Sequence, residues 1–180
     1  MMWLCMSLLL WGTSLLLPQS VIAGIHDLYA AAGVKEMAEP LAAPEFALTT
    51  IEGRMIDSSH LRGNVVLVNF WATWCGPCKE EMPALKRLKE SFAGSSFELL
   101  AVTTDQQVEG IRTFVRALSL NFPVLSDHTK DVSVAFGVRG LPTTVLIDRQ
   151  GRLVGRAVGP RAWDSAESVA LVRQILEGMK

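Results

Sequence analysis

Cysteine is almost absent from this 180-residue chain, which holds only Cys5, Cys75 and Cys78, and its three histidines, His26, His60 and His128, are scattered. A structural zinc site needs four ligands, so a second cysteine pair or a closely spaced histidine pair would have to be present, and neither is. Charge of either sign is also lacking: 17 basic and 18 acidic residues give a formal net charge of −1. With no basic stripe and no acidic tail, nucleic acid is excluded as an expected partner and electrostatic membrane docking has no support. There is no repeat or low-complexity tract. What the chain does have is apolar material, 49% of residues, ample for the core of one domain plus extensions.

The first charged side chain is Asp27, so Met1 to Ala23 is uncharged and dominated by leucine. Val21-Ile22-Ala23 resembles the small-residue pattern of a secretory cleavage site, which favours a removed signal peptide over an anchor. No Lys or Arg precedes the apolar run, which counts against that reading, whereas an uncleaved span would be at the short limit for crossing a bilayer. Either way the folded part is expected outside the cytoplasm, periplasmic or extracytoplasmic. Residues 1–23 are thus expected to be a signal peptide or membrane anchor, 24–43 an arm or linker, and 44–180 the folded domain. Cys5 then reads as one more apolar residue of the exported segment. An exported protein left with one vicinal pair uses it for chemistry more often than for scaffolding.

That pair sits where a β-branched apolar run, Val65 to Phe70, breaks at Thr73 and feeds into a helical pattern through Met82, Leu85, Leu88 and Phe92. At the start of a helix, cysteines separated by two residues lie about one turn apart, the first at the tip and the second turned inward. The helix N-terminus supplies roughly half a positive charge to the outer sulfur and stabilises its thiolate, which makes Cys75 the expected nucleophile and Cys78 the resolving thiol. Pro77 lacks an amide hydrogen and presets a helical φ, so at the first turn it gives up no hydrogen bond. Half of a metal site and a structural crosslink are the alternatives; the second would close so short a loop that it would constrain the unfolded chain little.

Elsewhere Glu45 to Asp57 alternates around Glu52-Gly53 as a β-hairpin should. Val65 to Phe70 is apolar at nearly every position, which marks a central strand covered on both faces. Phe97 to Thr103 is a second buried strand, Val108 to Leu118 a helix, and Phe122 to Leu125 a short extended piece. Lys130 to Phe136 is a helical turn or two, closed at Gly137. Thr143 to Asp148 and Leu153 to Val158 form a strand pair, and Ser165 to Met179 is a last helix. Alternating strands and helices ending in a hairpin and a helix describe an α/β fold with a mixed sheet.

With the Trp74-Cys75-Gly76-Pro77-Cys78 join and the Gly137 to Thr144 segment (GVRGLPTT) both in view, the chain resembles thioredoxin-fold proteins, and more narrowly exported TlpA/ResA-type thiol–disulfide oxidoreductases. The resemblance covers about Pro40 to Lys180. It implies a mixed central sheet flanked by helices, with an N-terminal hairpin at Glu45 to Asp57. Between the active-site helix unit and the cis-proline loop it implies a helix-and-strand insert at Asp105 to Asp127. It also implies a cis proline at Pro142 against the cysteine pair, exposing the backbone of Leu141 as an edge on which a substrate segment can pair. Trp74 would form a flat wall near Cys75, and Thr143 is a further candidate substrate contact, while Trp71 and Trp163 read as packing.

In one respect the chain departs from thioredoxin, which has a buried aspartate on the strand before the motif where this chain has Asn69. An amide cannot accept the proton that Cys78 must lose. Glu81, three residues after Cys78 on the same side of the helix, matches a glutamate of ResA-type proteins and would, if partly buried, have a raised pKa suited to that task. A surface glutamate like Glu80 is the alternative.

By resemblance the expected activity is reduction of specific client disulfides, of the cytochrome c or copper-site assembly type, with a membrane thiol electron donor and no cofactor or bound metal, in a monomer. The competing readings are a thiol oxidant of folding proteins, a copper metallochaperone binding through both thiolates and, last, a peroxidase.

Overall fold

The computed structural model describes residues 19–178, so the expected leader lies outside the described residues, apart from the backbone of Gln19 to Ala23. That backbone opens the first helix, α1 (Gln19–Ala31). Among the described residues no helix is long and apolar enough to cross a membrane.

One mixed sheet organises the chain. Its strands are β1 (Lys35–Ala42), β2 (Ala47–Thr50), β3 (Met55–Asp57), β4 (Val65–Trp71), β5 (Phe97–Thr103), β6 (Val124–Ser126), β7 (Thr143–Ile147) and β8 (Arg152–Val158), in the spatial order β1-β8-β7-β4-β5-β6-β2-β3. β4, β5 and β6 run parallel, while β7, β8 and β1 on one side and β2 and β3 on the other pair antiparallel. The helices are α2 (Gly76–Ser91), α3 (Val108–Leu118), α4 (Asp131–Ala135) and α5 (Ala166–Glu177).

β4 is central because all seven of its residues are buried, as its unbroken apolar run demands. Alternate side chains serve opposite faces. Val65, Leu67 and Trp71 join Met82, Leu85 and Leu88 of α2 and Leu171, Val172 and Ile175 of α5; Val66, Val68 and Phe70 meet Phe46, Phe136, Leu100 and Val102 on the other side. Asn69 is the one polar residue of β4, and it points to the α2 face.

The expected hairpin forms with Ala47 opposite Asp57, and its β2 pairs on to β6. The expected insert between Asp105 and Asp127 consists of α3 and β6, and β6 joins the hairpin to the parallel strands. Arg112 on α3 donates to the Ile51 carbonyl at 2.6 Å and ties the insert to the hairpin turn. Pro83 does not interrupt α2, which continues to Ser91.

Residues 24–43 require a correction. They are not an arm or linker: most belong to α1, which packs on α5, and to β1, which pairs with β8 as an edge strand. Tyr29, Ala32 and Val34 are buried in the main core. The sequence hid β1 because an exposed edge strand has no burial alternation to read. Its register also shifts between Glu36 and Leu41, where Pro40 would otherwise lack a ladder donor. At Gly155 of β8 a side chain would come within 3.0 Å of both Tyr29 and Val34, so the absence of a Cβ there lets this N-terminal layer close.

Gly155→Val is therefore expected to destabilise the fold by about 1–3 kcal/mol through overpacking. Urea denaturation measures it; an unchanged midpoint would mean that α1 and β1 are not held against β8.

Candidate active site

β4 delivers the chain to the site and stops at Trp71 because the next residues turn away from the ladder. The Thr73 amide donates to the Asp105 carboxylate at 2.7 Å and the Cys75 amide to the Ala72 carbonyl at 3.1 Å, so the turn is braced from two sides. Cys75 is the N-cap of α2 in an extended conformation, and its sulfur accepts from the Cys78 amide at 3.2 Å. It thus occupies the position where the unpaired amides and the positive end of the helix dipole favour a thiolate. Pro77 lies in the first turn, as expected. Cys75 and Cys78 are joined by a disulfide of 2.03 Å. Their accessibility differs in the expected sense, 6% for Cys75 against 0% for Cys78.

The second part of the site arrives on β7. Phe70 pairs with Thr143 and Asn69 with Thr144, so this register brings the end of β7 alongside the end of β4. The Leu141–Pro142 bond is cis, as the resemblance implied, and the Pro142 carbonyl accepts from the Gly159 amide at 2.8 Å. Leu141 lines an open cleft of about 650 Å³ together with Trp74, Cys75 and Pro77, and Trp74 is 73% exposed. Thr143 behaves differently from expectation: it is 1% exposed and its hydroxyl donates to the Gly140 carbonyl at 2.7 Å. It shapes the loop and presents no side-chain surface to a substrate, since a residue on an inner strand is covered by the layers packed on the sheet.

Beneath the disulfide lies a buried polar cluster. Glu81 is 3% exposed, so it is not a surface residue like Glu80. One carboxylate oxygen accepts from Asn69 Nδ2 at 2.8 Å; the other accepts from the Arg161 amide at 3.1 Å and Trp163 Nε1 at 3.2 Å. Asn69 Nδ2 also donates to the Thr144 hydroxyl at 2.9 Å, whereas Asn69 Oδ1 is buried without a hydrogen bond. Burial pushes the Glu81 carboxyl above the ordinary glutamate range, against the pull of these donors and the Arg161 charge, which favour the anion. A buried carboxyl with a raised pKa, three residues from a buried cysteine on one helix face, is placed to exchange a proton.

Sequence reasoning missed two members of this cluster. Trp163, read as packing, donates its indole hydrogen to Glu81, and Arg161 contributes its backbone amide from the loop after β8. Both lie about eighty positions from Glu81, and no local pattern announces such a contact. The only legible hint was a tryptophan, whose indole N–H usually finds an acceptor when buried.

A helix-capping cysteine with a buried partner, set beside a cis proline on a mixed α/β sheet, defines a thioredoxin-like thiol–disulfide oxidoreductase. The chain belongs to the AhpC/TSA family, whose sequence profile matches residues 41–156. It is similar to the thiol-disulfide oxidoreductase ResA of Bacillus anthracis, with 35% identity over 125 residues, 69% of this chain and 72% of that protein. Similarity to ResA of Bacillus subtilis reaches 36% identity over 128 residues, 71% of this chain and 72% of that one. Among solved structures it resembles a thiol:disulfide interchange protein of the thioredoxin family from Chlorobium tepidum. That match has a TM-score of 0.70 and 29% identity, covering 78% of this chain and 99% of that one.

The folded protein holds the Glu81 proton more tightly than the unfolded chain. Stability is therefore highest while Glu81 is protonated in both states. It falls as pH climbs from the ordinary glutamate value toward the raised folded one. Glu81→Gln removes that titration, so its urea midpoint should drop less than the wild type's between about pH 4 and about pH 7. Parallel pH curves would show that the Glu81 carboxyl is not perturbed.

Proposed function

We propose that the chain reduces disulfides of specific client proteins outside the cytoplasm. The observation that carries this reading is the inequality of the two sulfurs: Cys75 borders an open cleft at a helix tip, while Cys78 is sealed above a buried carboxyl. A thiol that meets the client and a second that is hidden until the first has reacted suit a two-step exchange.

In the reduced protein the Cys75 thiolate attacks one client sulfur; a Cys75–client S–S bond forms and the client's own S–S bond breaks, releasing a client thiolate that takes a proton. Cys78 then gives its proton to Glu81 and its thiolate attacks Cys75 Sγ. The Cys75–Cys78 bond forms, the mixed disulfide breaks, and the second client thiolate leaves. The client has gained two electrons and the protein has lost them. An external dithiol, by resemblance a membrane electron donor, reduces the pair again, and Glu81 returns its proton. Trp74 and Leu141 wall the cleft, and the cis bond at Pro142 turns the Leu141 backbone toward an incoming extended segment. The clients of this reading are haem-binding cysteines of apocytochrome c or cysteines of copper sites. The leader, residues 1–23, is the export signal or tether.

Cys78→Ser is expected to accumulate a mixed disulfide through Cys75 on non-reducing gels, and Cys75→Ser to capture nothing. Capture by Cys75→Ser would reverse the assigned roles. Glu81→Gln should slow turnover most at pH values where Cys78 is protonated; an unchanged pH profile removes Glu81 from the mechanism. In glutathione mixtures the pair should oxidise at a potential nearer thioredoxin's roughly −270 mV than the roughly −120 mV of a strong oxidant. Oxidation only in strongly oxidising mixtures would overturn the reductase direction.

A further inference from the structure

We infer that the cleft beside Cys75 selects client segments bearing a carboxylate within a residue or two of the attacked cysteine, received by Lys130 and Arg139. The inference rests on the redox reading above and adds the chemistry of the substrate. The walls of the cleft are apolar, formed by Trp74, Val134, Val138 and Leu141. Trp74 at 73% and Val134 at 74% exposure are the two most exposed large hydrophobic side chains on the described surface, and a third, Val158, lines the groove that adjoins through Arg139 and Gly140. Exposed apolar side chains gathered at one place mark a surface that another molecule covers.

Charge decides which molecule. Lys130 and Arg139 line the cleft, and Arg139 and Arg156 line the adjoining groove, with no aspartate or glutamate in either lining. In a chain of net charge −1, three cations without an acid are a local excess. Arg156 is engaged, donating to the Phe136 carbonyl at 2.6 Å. Lys130 and Arg139 are exposed, and among the described residues neither forms an ion pair. Nearby acids are occupied away from the cleft. Asp127 is buried and accepts from Ser133, and Asp105 accepts from the Thr73 amide. Lys130 is one of two non-glycine residues with positive φ, at +66°, and its amide bonded to the Asp127 carbonyl fixes it at the start of α4.

An extended segment pairing along Leu141 turns successive side chains to opposite sides. With its cysteine at Cys75, neighbouring side chains fall on the apolar walls and at the cationic rim. A carboxylate there gains two charge-assisted contacts, whereas a lysine meets two like charges in a partly desolvated groove. Rim charges of this kind act chiefly on the rate of encounter.

The test uses the reduced full chain and two peptides, each with one internal disulfide, identical except for Asp or Lys beside the first cysteine. At low ionic strength the Asp peptide should be reduced about tenfold faster. In about 1 M salt, where the Debye length is roughly 3 Å, the difference should collapse. In the Lys130→Glu/Arg139→Glu double variant the ratio of the two rates should invert, and in Arg139→Gln alone it should shrink. Equal rates for the two peptides with the wild type at low salt, or an unchanged ratio in the variants, overturns the inference while leaving the redox reading intact. A wild type that fails to reduce even neutral hydroxyethyl disulfide overturns the redox reading, and this inference with it.

Discussion

The site depends on the antiparallel register of β7 on β4. Phe70 opposite Thr143 sets the cis-proline loop beside the turn that carries Cys75, and Asn69 opposite Thr144, one step deeper, sets the amide and hydroxyl that meet under the disulfide. One pairing thus builds both the substrate face and the proton-accepting floor. A slip of one residue would send Asn69 and Thr144 to opposite sides of the sheet and leave Glu81 without its nearest donor.

Glu81 is the electrostatic counterpart of that geometry. A carboxylate at this depth is costly unless its lone pairs are met, and three donors meet them: a strand amide, an indole and a loop N–H. Desolvation still outweighs those donors, which keeps the group above the ordinary glutamate range. The balance suits a residue that must take a proton and later return it. Had the donors been stronger the carboxylate would stay an anion; with fewer, the neutral acid would persist and accept nothing.

The two sulfurs divide the work along the same axis. Cys75 lies in the dipole field at the tip of α2, next to Trp74 and the cleft, and Cys78 lies one turn inward in the main core beside Met82. The exposed end of this axis is apolar and cationic and the buried end is acidic, so client recognition and proton handling occupy opposite sides of one helical turn.

Much of this was legible in the sequence because it is local. The unbroken apolar run Val65 to Phe70, the proline in the first turn and the spacing of Cys75 and Cys78 act within one strand–helix unit, and their physics needs no partner beyond it. The GVRGLPTT segment and its cis Pro142 came from resemblance. Contacts between distant segments were not legible. β1 reads as a linker until β8 lies beside it, Thr143 reads as a substrate contact until its strand is covered on both faces, and Trp163 reads as packing until Glu81 meets its indole. By itself the sequence determined the nature of the chemistry, because a thiol pair at a helix tip carries its reactivity in the backbone around it. Only the tertiary structure decided which side chains tune that chemistry, because burial and hydrogen bonding arise between strands and loops that are far apart along the chain.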